Sequence, residues 1–124
     1  MNDKKILIVD NDKELLKMLR IAIQICCRDC QVASALNGSA ALNLLHQADQ
    51  AQPIDMILTD YSMPHMTGLD LAHVVRKTWP QIRIVLMSSN KAILEAGANS
   101  LSFDDYLVKP FALRELAKVL QLNP

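Results

Sequence analysis

No apolar stretch in the 124 residues approaches the roughly 20 needed to cross a bilayer, so a spanning helix is not expected. The start, Met1-Asn2-Asp3-Lys4-Lys5, lacks the long apolar segment and small-residue cleavage site of a signal peptide. Net charge is missing too: 13 basic residues balance 13 acidic ones. No whole-chain field therefore draws the protein to anionic lipid, and direct nucleic-acid binding is not expected. Internal repeats, low-complexity tracts and linker-like stretches are absent.

Cysteine is scarce, and the three residues (Cys26, Cys27, Cys30) are crowded together. An odd, clustered set fits reduced thiols of a cytoplasmic protein better than a disulfide framework. Cys27-Arg28-Asp29-Cys30 matches CxxC, but it falls at the end of a helical segment. Redox pairs favour the opposite end, where the helix dipole stabilises a thiolate. No second Cys or His pair lies near it for zinc. Buried or half-buried core thiols are the expectation.

About half the chain is apolar and one fifth charged, suiting one compact domain over 1–124. Short apolar runs alternate five times with segments of helical period. The strand candidates, 5–9, 31–34, 54–59, 82–88 and 105–108, are mostly rich in Ile, Val and Leu without alternation. Such runs indicate strands covered on both faces, as in a parallel sheet. Asp12 stands as N-cap before the first helix, Gly38 opens the second, and the third follows Gly68 and ends at Trp79-Pro80. The fifth follows Pro110. The fold expected is (βα)5, a doubly wound five-stranded parallel α/β sandwich of flavodoxin type, order 2-1-3-4-5. The fourth helix has two readings: it stops near Gly97, or it runs through to about Leu101. No second domain is expected after the fifth helix.

The chemistry lies at the strand ends. Ile6-Leu7-Ile8-Val9 leads into Asp10-Asn11-Asp12, and Ile57-Leu58-Thr59 into Asp60. Tyr106-Leu107-Val108 delivers Lys109-Pro110, and Leu86-Met87 delivers Ser88-Ser89-Asn90. In an open parallel sheet, sites form at the carboxyl ends where strand order reverses, which brings Asp10 beside Asp60. Carboxylates held together call for a cation, and hard oxygen donors suit Mg²⁺. A free carboxylate, a lysine, a hydroxyl and a metal site around one point suit phosphoryl transfer to Asp60.

These residues resemble the receiver domain of two-component response regulators. The motifs are Ile6–Asp10, Asp60 with Met63-Pro64 and Gly68, Ser88-Ser89, and Tyr106 through Lys109-Pro110-Phe111. The resemblance implies that Asp60 accepts phosphate from a sensor histidine kinase or histidine phosphotransfer protein. It also implies Mg²⁺ on Asp10, Asp60 and the Ser62 backbone carbonyl, and Lys109 paired with the phosphoryl group. Ser88 and Tyr106 would be the switch residues, and the Lys109–Pro110 bond would be cis. A downstream protein or an output domain would read the face of helix 4, strand 5 and helix 5, and a homodimer is compatible with it. Ser62 and Asn90, two residues beyond Asp60 and Ser88, should tune the lifetime of the phosphorylated state.

The chain departs from the family pattern at Asn11, where a second acid is usual. Its amide oxygen can still coordinate, with one negative charge fewer, so weaker Mg²⁺ binding and slower phosphorylation are expected. Glu95-Ala96-Gly97-Ala98 comes several residues earlier than its family counterpart. One alternative is therefore a pseudo-receiver, a phosphorylation-independent interaction module. Another is a haloacid-dehalogenase-type phosphatase, since Asp10-Asn11-Asp12 is similar to its DxD motif and Asp104-Asp105 to a distal metal pair. Against that reading, Glu14 replaces the expected Thr or Val and the lysine follows the acidic pair.

Overall fold

The computed structural model describes residues 4–48, 52–98 and 102–121. Five strands and five helices alternate: β1 Lys5–Val9, α1 Lys13–Cys26, β2 Gln31–Ala35, α2 Gly38–Gln47, β3 Met56–Asp60, α3 Gly68–Thr78, β4 Arg83–Ser88, α4 Lys91–Ala98, β5 Asp105–Val108 and α5 Leu113–Leu120. The strands pair in parallel in the order β2-β1-β3-β4-β5, the flavodoxin-like sandwich expected from the sequence.

β1, β3 and β4 are buried almost throughout. Alternate residues of these strands feed two cores. Leu7, Val9, Ile57, Ile84 and Leu86 face one, with Leu71 and Val75 of α3. Ile6, Ile8, Leu58, Val85 and Met87 face the other, with Leu19 and Ile23 of α1 and Leu116 and Val119 of α5. Burial on both faces is why these runs read as continuous rather than alternating. β2 is an edge strand and exposes Gln31 and Ser34.

Several boundaries differ from expectation. β3 begins at Met56 and includes Asp60, while Ile54 is buried ahead of it. β2 runs one residue further, to Ala35. α4, in contrast, is described to Ala98, in keeping with a helix that reaches Gly97; a continuation to Leu101 lies outside the described residues.

The helix starts are set by side-chain caps. Asp12 accepts from the Glu14 and Leu15 amides, as expected, and Asn37 caps α2 through the Ala40 amide. Thr67 and Asp70 form a reciprocal capping box on α3. Asn90 Oδ1 accepts from the amides of Ala92 and Ile93 at the start of α4.

The cysteine expectation needs correction. Cys30 is buried and Cys27 half-buried, but they are joined in a disulfide, leaving Cys26 as an exposed free thiol. The tight turn after α1 brings their Cα atoms to 5.4 Å, inside bridging range.

Candidate functional site

The pairing ladder continues past the strand ends into the residues that carry the chemistry. The Asp10 amide donates to the Ala35 carbonyl at 3.1 Å and the Lys109 amide to the Ser88 carbonyl at 2.9 Å. Beside Asp60, the Tyr61 amide donates to the Met87 carbonyl at 3.2 Å. The backbones bearing Asp10, Asp60 and Lys109 are thus locked to neighbouring strands, which positions the side chains on a rigid base.

Their side chains meet. Lys109 Nζ donates to Asp10 Oδ2 at 2.8 Å and to Asp60 Oδ1 at 2.9 Å. Asp10 is 2 % exposed and takes a further bond on Oδ1 from the Asp12 amide at 2.9 Å. Asp60 is more accessible, at 13 %. One ammonium serves two carboxylates, so the cluster is one positive charge short. Burial pushes the Asp60 carboxyl above its usual value and the charge of Asp10 adds to the rise; Lys109 only partly opposes them. Desolvation alone would lower Lys109, but hydrogen bonds and charge from Asp10 and Asp60 outweigh it and hold the ammonium above its usual range.

Around this trio the loops are tightly placed. The Gly68 amide donates to the Tyr61 carbonyl at 2.8 Å. A Cβ at Gly68 would lie 2.5 Å from the Asp60 carbonyl oxygen, so only glycine lets α3 start directly beneath the acid. Met63 is buried in the core. Met66 packs on Gly38 so closely that a Cβ there would collide with its sulfur, fastening the loop after Asp60 to the start of α2. His65 lies on the exposed surface with φ 69°, at the centre of a three-residue turn closed by Met66 N–H to Pro64 O at 2.8 Å.

The remaining candidates are distributed around the trio. Ser88, at the end of β4 beside β3, is 5 % exposed; its Oγ accepts from the Asn90 amide at 3.0 Å and so stays within the β4–α4 turn. Asn90 is engaged in capping, and Asn11 and Ser62 are exposed. Asp12 is engaged in capping α1 and does not join the trio. Tyr106 is half-buried, its ring 6.3 Å from that of Phe103. Burial, then Asp105 and Asp104, raise its hydroxyl pKa. The Lys109–Pro110 bond is cis. Asp104 and Asp105 lie at the opposite edge of the sheet, paired with Arg76 and Arg83, so they cannot complete a metal site with Asp10.

Among the described residues, no three His, Cys, Asp or Glu side chains gather around a metal position. What Asp10 and Asp60 offer is a pair of hard carboxylates with residual repulsion; Asn11, next in the chain to Asp10, and Ser62, two residues beyond Asp60, are exposed. That donor set fits a hydrated Mg²⁺, which seldom takes an all-protein cage.

Two acids and a lysine at the ends of β1, β3 and β5, in this strand order, coincide with a family match over residues 6–121 to the response regulator receiver domain. The chain belongs to that family. This receiver domain is 35 % identical over 112 residues to the transcriptional regulatory protein CpxR of Escherichia coli K12, covering 90 % of this chain and 45 % of that one. It is 31 % identical to the nisin biosynthesis regulatory protein NisR of Lactococcus lactis, covering 96 % and 49 %. The chain therefore spans about half the length of the curated relatives it matches. Among solved structures, the chemotaxis protein CheY4 of Vibrio cholerae superposes with a TM-score of 0.79 at 28 % identity, covering 95 % of this chain and 96 % of that one. The response regulator TrrA of Thermotoga maritima, solved in complex with Mg²⁺ and BeF, gives 0.77 at 28 %, covering 94 % and 98 %.

The caps at Asn37, Asn90 and Thr67–Asp70 are not among the sequence expectations, although each shows the N-cap residue pattern. The Gly38–Met66 contact joins remote segments and has no local signal.

Proposed function

We propose that residues 1–124 form a receiver domain that accepts a phosphoryl group on Asp60 from a sensor histidine kinase or histidine phosphotransfer protein. The observation that carries this is Lys109 Nζ held between Asp10 and Asp60 at 2.8 and 2.9 Å. Asp60 is the more exposed of the two acids, on a backbone that cannot retreat. An Asp60 oxygen attacks phosphorus in line, the phosphorus–nitrogen bond to the donor histidine breaks, and an acyl phosphate forms. Lys109 then exchanges its bond to Asp60 for one to a phosphoryl oxygen, while Asp10 keeps the ammonium oriented. Mg²⁺ held by Asp10, Asp60, the Ser62 carbonyl and, more weakly, Asn11 would neutralise phosphoryl oxygen charge.

Ser88 leaves its turn to donate to the phosphoryl group, and half-buried Tyr106 follows inward. Ser62 and Asn90 set how water reaches the acyl phosphate. The altered face of α4, β5 and α5 is read by a downstream protein, an output domain or a second copy. The domain acts in the cytoplasm and turns over no external substrate. The test is transfer from a phosphohistidine donor: one phosphoryl group per chain, and none on Asp60→Asn.

A pseudo-receiver remains the second reading, favoured by Asn11 and by the lack of a three-acid cluster among the described residues. Mg²⁺ titration separates the two, because an interaction module that does not bind the ion shows no saturable response.

A further inference from the structure

The three cysteines take no part in the chemistry at Asp60, yet the structure arranges them as a unit. α1 ends at Cys26 with no basic residue in its last turn. Cys27 is its C-cap, and its amide donates to the Ile23 carbonyl at 2.7 Å. The chain then turns through exposed Arg28 and Asp29, and Cys30 enters the core directly before β2. The Cys27–Cys30 disulfide is thus the covalent fastening between the end of α1 and the start of β2. Next to it, the Cys26 thiol donates to the Leu113 carbonyl at 3.9 Å, at the first residue of α5.

We propose that Cys27–Cys30 is a reversible thiol–disulfide exchange site, reduced by protein dithiols and controlling the order of the α1–α5 edge. The two sulfurs are unequal. Cys27 is half-buried and reachable, whereas Cys30 is 6 % exposed and sealed by core neighbours. An attacking thiolate therefore forms its bond to Cys27 Sγ, and the sulfur–sulfur bond breaks with the electron pair leaving on Cys30, which is then protonated. The second thiol of the reductant attacks its own sulfur in the mixed disulfide and releases Cys27 as a thiol. Two electrons pass to the protein, and the partner becomes a disulfide; the reverse exchange reoxidises the site. A monothiol gives only the first step, because Cys30 remains beside the mixed disulfide and closes the bridge again.

Reversibility follows from how little the fold depends on the bridge. It closes a loop with a sequence separation of three, so it removes little chain entropy. Cys30 belongs to the core shared by α1 and α5, but the rest of that core and all of the core on the other face pack through other residues. Its local effect is larger. α1 carries Met18, Ile21 and Ile25, 60–65 % exposed, on the surface that also presents Cys26 and Leu113. Once the bridge opens, the last turn of α1 keeps its backbone bonds, the buried Ile23 and the Cys26–Leu113 contact, and loses its covalent tie to β2.

The experiment counts thiols on the intact chain by alkylation under denaturing conditions and mass spectrometry, and follows amide hydrogen exchange. Without reductant, one adduct, at Cys26, is expected. After native incubation with dithiothreitol, three are expected, and at equal thiol concentration glutathione leaves mostly one. Exchange in the last turn of α1 should speed up on the order of tenfold on reduction. The double variant C27S/C30S should show the fast pattern in both conditions. Three adducts without reductant would overturn the proposal, as would a bridge that dithiothreitol opens only after denaturation. Identical exchange in oxidised and reduced protein would overturn the coupling to α1. These counts do not depend on phosphorylation, so an Asp60 that refuses phosphate would defeat the preceding reading and leave this one to its own test.

Discussion

The two edges of the sheet use the same residue types to opposite ends. At the amino edge, Arg76 pairs with Asp104 at 2.8 Å and Arg83 with Asp105 at 3.0 Å, one charge to one charge. The acids there also replace missing backbone partners: Asp104 accepts the Ile84 amide and Asp55 the Lys5 amide, each at 2.8 Å. Trp79, the C-cap of α3, seals that edge and meets His46 edge-to-face at 4.9 Å. At the carboxyl edge one lysine is divided between two acids, one of them 2 % exposed. Balanced, part-exposed pairs hold a fold together. An unbalanced, buried trio stores unfavourable charge that a cation or a phosphoryl group relieves, and functional sites carry such a cost.

The contrast can be broken most severely at Gly68. Gly68→Ala puts a methyl against the Asp60 carbonyl, and a loss of about 3 kcal/mol is expected by urea denaturation. Lys109→Met should come next. It strands two carboxylates and should destabilise by about 2–3 kcal/mol, while Arg83→Met, breaking a part-exposed pair, should cost about 1 kcal/mol or less. Equal losses from the two variants would erase the distinction between the edges.

Asn11→Asp restores a negative charge beside Asp10 and should strengthen Mg²⁺ binding about tenfold in a calorimetric titration. The smallest effect is the most specific one. Because the folded Asp60 carboxyl lies above its ordinary 3.8, the native state holds the proton more tightly than the unfolded chain. Stability therefore falls as pH rises from 3.8 through the folded value, and the full cost is present at neutral pH. Asp60→Asn should raise stability at pH 7 by about 0.5–1 kcal/mol, a gain that shrinks as pH falls through that window. Thermal melts across pH give the check.

Much of this edge could be read from sequence because its logic is one-dimensional. Asp10, Asp60, Ser88 and Lys109 each end an apolar run, and runs covered on both faces stand out without alternation. Strand order then brings the residues together. Less legible was anything decided by a contact between remote loops. Gly68 beneath the Asp60 carbonyl and Met66 on Gly38 depend on how α2 and α3 seat against the sheet. The cysteines depart from expectation for a related reason: clustering suggests free thiols, while the turn after α1 sets Cys27 and Cys30 at bridging distance. β3 starts later than its apolar run suggests because Ile54 is buried without being in the strand.

We propose the trio as a working phosphoacceptor site despite Asn11. Its most direct test is intact mass after incubation with acetyl phosphate, with and without Mg²⁺, beside Asp60→Asn. A single phosphoryl adduct is expected, one that requires Mg²⁺ and is absent from the variant. No adduct at any Mg²⁺ concentration, or an adduct that survives Asp60→Asn, would contradict it.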